Sequence, residues 1–399
     1  MADFSITNNA ALFKITYDKI SANAYNSFNV LLGTVKKEYN FEGKRMDVAV
    51  PLSFAGGSGS GSTLPTANPA SYEDAQISSA KVYQLIEVDR EALKAGDSDR
   101  GAFVRMTKEP VRKGVEKFNW NMSRILFNDG TGALGSTSGN AGGTATVSTC
   151  VITAATWKEF NFAIKDYVNV NSLSTVWEVT ALAPSTRTVT LTRISGSDDL
   201  TAIGAGTHII YLQNSKNNDP EGLKGVLDAT TGSKYGINIG YGWQAYQKAA
   251  GGVGISPDLM NEGMLGVHRQ CGQDPNLIIT SYVQYRKLLN QLEDQKRYFM
   301  DSRYEVGKGK ISFQGIEFMS MSGPVGVFVD KFCEDDRMYL LNKDFITLYH
   351  RPGTPSWADD DGTVFLRAAT TDKYQARYAA YLQAYIPPTF HGVITGLAT

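Results

Sequence analysis

The stretch Gly56-Gly57-Ser58-Gly59-Ser60-Gly61-Ser62 constrains this chain more than any other, because it forms a soft tip on a long alternating arm. Before it, Met46, Val48, Val50, Leu52 and Phe54 alternate with Arg45, Asp47, Ala49, Pro51 and Ser53, the period-two pattern of a strand with one apolar face. After it, Ala80, Val82, Ile86 and Val88 make a second β-leaning run, which completes a predicted two-stranded arm. A lone hairpin has almost no core of its own and is marginal in water. The apolar face of the arm is therefore expected to find its cover elsewhere, on a neighbouring subunit.

The 399 residues exceed the size at which one core stops growing, about 250–300 residues, so two to four packed units are expected. An apolar fraction of 42% with 20% charged residues is that of a globular protein and excludes global disorder. The formal net charge of -1 leaves no overall electrostatic footprint for nucleic acid or a membrane surface. Met1-Ala2-Asp3-Phe4-Ser5-Ile6-Thr7 lacks the basic and apolar regions of a signal peptide, and no stretch approaches about 18 consecutive apolar residues. A soluble protein made in a cytoplasm is expected. Cys150, Cys271 and Cys333 are odd in number and widely spaced, which points to buried thiols rather than a disulfide framework.

Along the chain, Asp97 or Ser98 is placed to cap a helix running to about Phe127. Phe103, Met106, Val111, Val115, Phe118, Met122, Ile125 and Leu126 recur on it at helical spacing, and Pro110 and Gly114 are expected to bend it. From about 140 to 215 the composition turns to Thr, Val, Ser and Gly, and Thr188-Val189-Thr190-Leu191-Thr192 alternates as a strand. A short helix is expected within that β-rich stretch, from Trp157 to Val168. Further on, Ser256-Pro257-Asp258 opens a helix that Gly272 closes, Asn276-Leu277-Ile278-Ile279-Thr280 is a short strand, and Tyr282, Tyr285, Leu288, Leu289 and Leu292 mark a second helix. Met338-Tyr339-Leu340-Leu341, Phe345 to Tyr349 and Tyr374 to Tyr385 return to strand. The order is α+β rather than alternating βαβ.

Signatures of catalysis are sparse. Gly130-Thr131-Gly132-Ala133-Leu134-Gly135 spells a phosphate-loop pattern, but it follows the C-terminal end of the long helix, where the dipole has the wrong sign for an anion, so it reads as a turn. His208, His268, His350 and His391 stand alone, without a second ligand at metal spacing, so no metal and no cofactor is expected. Asp359-Asp360-Asp361-Gly362 reads as a solvated turn that lacks the ligand spacing of a calcium loop. Arg105, Lys108, Arg112, Lys113, Lys117 and Arg124 crowd the long helix; a solvated basic face is favoured there over a nucleic-acid contact.

The succession of N-terminal arm, hairpin with a Gly/Ser tip, and long helix ending in Asn128-Asp129-Gly130-Thr131-Gly132-Ala133-Leu134 resembles the major capsid proteins of tailed double-stranded DNA bacteriophages, with the Hong Kong 97 type fold. Asp274-Pro275-Asn276-Leu277-Ile278-Ile279-Thr280, Phe313-Gln314-Gly315-Ile316-Glu317-Phe318 and the run from Ala384 to Ile394 are similar to later parts of that family. The resemblance implies an N-terminal arm over 1–40, an extended hairpin loop over 41–88, and a peripheral domain with a spine helix over 89–139. An inserted β-rich domain over 140–220, an axial domain over 221–344, a peripheral return over 345–388 and an axial C-terminus over 389–399 complete it.

It also implies a structural protein without enzymatic activity, assembling with itself as hexamers and pentamers into an icosahedral virion shell that encloses DNA without reading its sequence. Scaffolding, portal and decoration proteins are the implied partners, and the host bacterial cytoplasm the place of assembly. Inter-subunit contacts are expected from Met46, Val48, Val50, Leu52, Phe54, Gly57, Gly59, Gly61, Val82 and Ile86. The type member crosslinks through a lysine of this loop, whereas no lysine lies here between Lys44 and Lys81, so contact without a covalent bond is expected. The type member also begins with a scaffolding segment; here Met1 directly precedes the arm, which implies a separate scaffold. Three other readings stand beside this one: an encapsulin-like compartment shell, a tail or decoration protein built around the β-rich stretch, and a hydrolase with dispersed groups such as His268 or Asp359.

Overall fold

The computed structural model describes residues 29–53, 57–58, 61, 71–91, 100–139, 141–171, 173–201, 208–294, 301–305, 312–320, 323–359, 364–367 and 371–399. Most of the predicted N-terminal arm, the helix cap at Asp97 or Ser98, and Asp360-Asp361-Gly362 lie outside the described residues.

A six-stranded sheet is built around the strand Lys373–Tyr385, which pairs on one side with Ala80–Asp89 from Lys373↔Asp89 to Leu382↔Ala80. On its other side lie Thr347–His350, Ser356–Trp357 and Phe365–Arg367, and Lys36–Glu38 adds to Thr347–His350 in parallel. Ala376, Tyr378, Ala380, Leu382 and Ala384 alternate along the central strand and are all buried. They share one core with Val111, Val115 and Phe118 of the helix Arg100–Phe127. The Phe118 and Tyr378 rings meet edge to face at 4.9 Å, worth about 1 kcal/mol beyond the area they bury. The helix continues through Pro110, which therefore does not end it as an interior proline often does.

After the long helix the chain enters a seven-stranded β-rich unit, ordered Ala133–Ser136, Ile209–Leu212, Tyr167–Val170, Val176–Ala183, Thr188–Ser195, Val147–Val151 and Gly142–Gly143. Trp177, Val179, Val189, Leu191 and Ile210 lie in a core of its own. Its first strand starts at Ala133, ahead of the boundary of 140 read from composition, because Ala133-Leu134-Gly135-Ser136 carries none of the Thr/Val bias of the later strands. The helix expected from Trp157 to Val168 is instead the 3-10 turns Ala154–Thr156 and Glu159–Asn161 followed by strand. Side chains there compete for the backbone: Asn161 donates to the Leu134 carbonyl at 2.8 Å and Asp166 accepts from the Ala163 amide at 3.1 Å.

The neck of this unit explains the glycine pattern after the helix. Gly132 has φ of +77°, and a Cβ there would lie 2.3 Å from the Ser215 carbonyl oxygen in the turn after the strand Ile209–Leu212. The phosphate-loop spelling is thus a turn between a helix end and a strand. At Gly222 the returning chain presses on the last turn of the long helix, where a Cβ would come within 2.4 Å of the Ile125 carbonyl oxygen and 2.6 Å of those of Leu126 and Asn128. Backbone atoms cannot step aside as side-chain ends do. Gly222→Ala is expected to destabilise the subunit by about 2–3 kcal/mol or more in urea melts. An unchanged midpoint would show that the neck is looser than this contact implies.

A second seven-stranded sheet runs Tyr246–Ala249, Gly392–Thr395, Met338–Leu341, Leu277–Thr280, Gly323–Val329, Ser312–Ser320 and Asp301–Glu305. The helix Pro257–Cys271 packs against it, with Ser256 accepting from the Leu259 amide at 3.2 Å as its N-cap and Gly272 at its end; the helix Tyr282–Asp294 follows the strand Leu277–Thr280. The chain crosses to the six-stranded sheet after Leu341 and comes back for its last strand. Leu277, Ile279, Tyr339, Leu341 and Val393 join the core beneath the long helix, while Ile278, Leu340 and Ile394 belong to the core on the other face.

The basic residues of the long helix divide rather than forming one solvated face. Arg112 and Lys113 are exposed, but Lys117 holds Asp166 of the β-rich unit at 2.8 Å. Arg124 is 1% exposed beside Asp219 at 3.5 Å, and its burial pushes the guanidinium pKa down.

Candidate assembly surface

The alternating run Arg45–Ser53 is a strand, but its partner is Ser71–Ser78, in register from Arg45↔Ser78 to Pro51↔Tyr72 with a shift before Ser53↔Ser71. The strand Ala80–Asp89, expected to close the hairpin, belongs to the six-stranded sheet instead. Val82 and Ile86 are buried within the subunit's own core. The reason is partner length: Lys373–Tyr385 offers Ala80–Asp89 a longer pairing surface than the arm does, and Val82 and Ile86 gain the underside of the helix. The true return strand, Ser71-Tyr72-Glu73-Asp74-Ala75-Gln76-Ile77-Ser78, is mostly polar. Its one local signal was Ala75-x-Ile77, two residues that are both fully buried.

Met46, Val48, Val50 and Leu52 are half-buried and pack against the central core of the same chain, whereas Arg45, Asp47, Ala49 and Pro51 face solvent. The apolar face predicted to need a neighbour is thus partly covered by its own body. Val48, Val50 and Leu52 roof a cleft of about 500 Å³ whose floor includes Tyr241, Trp243, Phe345, Tyr349, Tyr385 and Phe390. Phe345 and Phe390 stack there at 4.1 Å. The outer side of the hairpin carries Tyr72, 58% exposed, with Asp74 and Gln76, while Glu73 is exposed on the face of Val50. Gly57 and Gly61 are exposed, while Phe54 and Gly59 lie outside the described residues.

The root of the hairpin is tied to the six-stranded sheet. The Gln76 amide donates to the Tyr235 carbonyl at 2.6 Å, and the Tyr235 hydroxyl donates to the Ala384 carbonyl at 3.0 Å; burial pushes that phenol well above its usual pKa. On the other strand's approach, the Phe41 amide donates to the His350 carbonyl at 3.1 Å and Arg351 donates to the Gly43 carbonyl at 3.1 Å. The hairpin therefore leaves the body as a fixed root with an exposed outer strand.

Groups that suggested chemistry do not converge. His268 pairs with Asp274 at 2.9 Å on the surface, and the nearby Cys271 thiol donates to the Val267 carbonyl at 3.3 Å, its pKa pushed up chiefly by burial. His350 and His391 are buried. Among the described residues no cluster of three or more His, Cys, Asp or Glu is arranged to hold a metal ion.

The structure is similar to the capsid asymmetric unit of cyanophage A-1(L), with a TM-score of 0.54 and 11% identity over 92% of each chain. The chain has a phage capsid fold. The SrpI encapsulin complex of Synechococcus elongatus is also similar, with a TM-score of 0.45 and 8% identity over 91% of this chain and 85% of that one. So is the procapsid of satellite phage P4, with a TM-score of 0.43 and 8% identity over 100% and 92%. No family model and no curated protein matches the chain.

Proposed function

We propose that this protein is the major capsid protein of a tailed double-stranded DNA bacteriophage, a non-enzymatic subunit that assembles with itself as hexamers and pentamers around the genome. The observation that carries this reading is the capsid fold, matched over 92% of the chain. The hairpin supports it, since an anchored root with an exposed outer strand suits contact between subunits. In this reading Met46, Val48, Val50 and Leu52, still half exposed, complete their burial against a neighbour, together with the hairpin tip around Gly57 and Gly61. Phe54 and Gly59 share that assignment by sequence alone. Scaffolding, portal and decoration proteins are the further partners, the virion the destination, and a bacterial cytoplasm the place of assembly.

Negative-stain imaging of the purified protein tests the reading directly. Closed icosahedral particles are expected, and particles isolated from infected cells should contain nuclease-protected double-stranded DNA. Closed particles that hold only protein would point to a compartment shell instead. Tubes or isolated trimers would overturn both.

A further inference from the structure

The neck joins the β-rich unit to the body through two closely packed passes of chain, at 129–132 and 213–222. Three contacts remote from the neck hold the orientation of the unit as well. On the long helix, Lys117 holds Asp166 at 2.8 Å and the Trp120 indole N–H donates to the Phe160 carbonyl at 3.0 Å. On the loop 330–337 of the second sheet, Glu334 takes Lys158 of the unit at 2.9 Å.

Trp120 is where the three bodies meet. Its ring stands edge-on to Phe160 of the unit at 5.9 Å and to Phe332 of the loop at 5.4 Å, and Lys331 of the loop sits over its face at 3.8 Å. Glu334 is buried and also receives Lys224 at 3.4 Å and the Tyr339 hydroxyl at 3.0 Å. A buried carboxylate with several donors holds its partners in one arrangement far more firmly than a surface pair does.

We infer that the β-rich unit is a brace across the joint between the long helix with its sheet and the second sheet, reinforcing the angle that their shared core sets between them. Contacts confined to the helix would only fasten the unit to one body. Lys158 reaching Glu334 makes it span both. If the subunit forms shells, as proposed above, that angle sets how sharply neighbouring subunits curve, so loosening the brace widens the range of particle sizes.

The test is a double variant, Lys158→Ala with Phe160→Ala, in the full chain with Cys271→Ser. Spin labels are placed across the joint, at the exposed positions Leu85 of the six-stranded sheet and Tyr282 of the second sheet's helix, each changed to Cys. In the parent chain the distance between labels should be a single narrow peak in the free subunit, and in the variant at least twice as broad. Hydrogen exchange of Thr188–Ser195 should stay slow, showing that the unit itself remains folded. If that strand loses protection, Glu334→Gln, which changes no residue of the unit, decides by the same measurement. An unchanged narrow peak with intact protection overturns the brace. Particle diameters then test the consequence: a broadened distribution is expected, and an unchanged one would separate the brace from curvature. Failure of the parent chain to form any particle would instead sink the capsid reading, leaving the distance measurement valid.

Discussion

Replacing residues 49–74 with an Asn-Gly turn, so that Val48 and Ala75 remain paired, is expected to leave the subunit folded and, under the proposed function, to abolish closed particles. The cut follows the register, since Val48↔Ala75 is a native pair and two residues of this type close a hairpin in the required turn. It also spares the root, where Ala75 and Ile77 are fully buried and Gln76 is bonded to Tyr235. What the subunit loses is the half-burial of Val50 and Leu52 over the aromatic cleft, about 2 kcal/mol together at the usual value of aliphatic burial. That is tolerable for a chain of this size. An assembled shell, by contrast, would lose the hairpin contact at every subunit. Sedimentation and electron microscopy should find soluble subunits with near-parental melting and no shells. Normal shells from the shortened chain would show that the hairpin is dispensable for assembly.

Acid is expected to unfold the subunit steeply, and the cause is two histidines that cannot take up a proton while buried. Burial lowers the pKa of His391 to about 3 and, with a contribution from Lys37, that of His350 to about 3 as well. The His391 Nδ1 accepts the Asn342 amide at 3.1 Å, which protonation would turn into repulsion. A base whose folded pKa is depressed contributes stability that is complete above about 6.5 and is lost as pH falls toward 3, because only the unfolded chain binds the proton. At pH 4.5 the loss is about 2–3 kcal/mol for each histidine.

Asp330 works the other way. Its carboxylate accepts from the Asn29 side chain at 3.1 Å and from the Phe332 amide at 2.9 Å, yet burial raises its pKa to about 6. An acid held high favours the folded state below its unfolded value, and that advantage fades as pH rises through about 6, so acidification to pH 4.5 returns about 2 kcal/mol. The net loss between pH 7 and 4.5 is therefore about 3 kcal/mol. Below that, Glu334 adds to it: burial alone would raise its pKa, but Lys158, Lys224 and Arg337 hold it down to about 2, and the stability of that ionised group goes as pH falls from about 4.5 toward 2. Urea midpoints at pH 7, 5.5 and 4.5 check the slope. His391→Gln, which keeps an acceptor for Asn342, and His350→Phe should each remove about half of the histidine contribution. A slope that survives both substitutions would mean that other groups carry it.

How much could be read in advance depended on whether a residue's environment was local. The helix Pro257–Cys271 was legible because Ser256, Pro257 and Gly272 act on their own backbone, and the strand Leu277–Thr280 because its apolar run is short and bounded. The strand Arg45–Ser53 was equally plain in its alternation. The partner of that strand was not. Ser71–Ser78 shows little apolar period, and the stronger run at Ala80–Asp89 was claimed by a strand nearly 300 residues later, Lys373–Tyr385. Arg124 likewise read as one more surface cation, since nothing in its neighbours foretells Asp219.

By itself, then, the sequence determined the elements whose signals are periodic or covalently close: the long helix, the capped helix, the alternating arm, and the order of parts that resembles a phage capsid protein. The tertiary structure alone decided which strands pair, that the arm's apolar face rests half-covered over an aromatic cleft of its own subunit, and that Lys117, Lys158 and Arg124 are internal ties. The physical reason is that strand pairing and ion pairing are settled by competition among distant segments for one partner. Local propensity states what a segment can become, and only the closed chain selects what it touches.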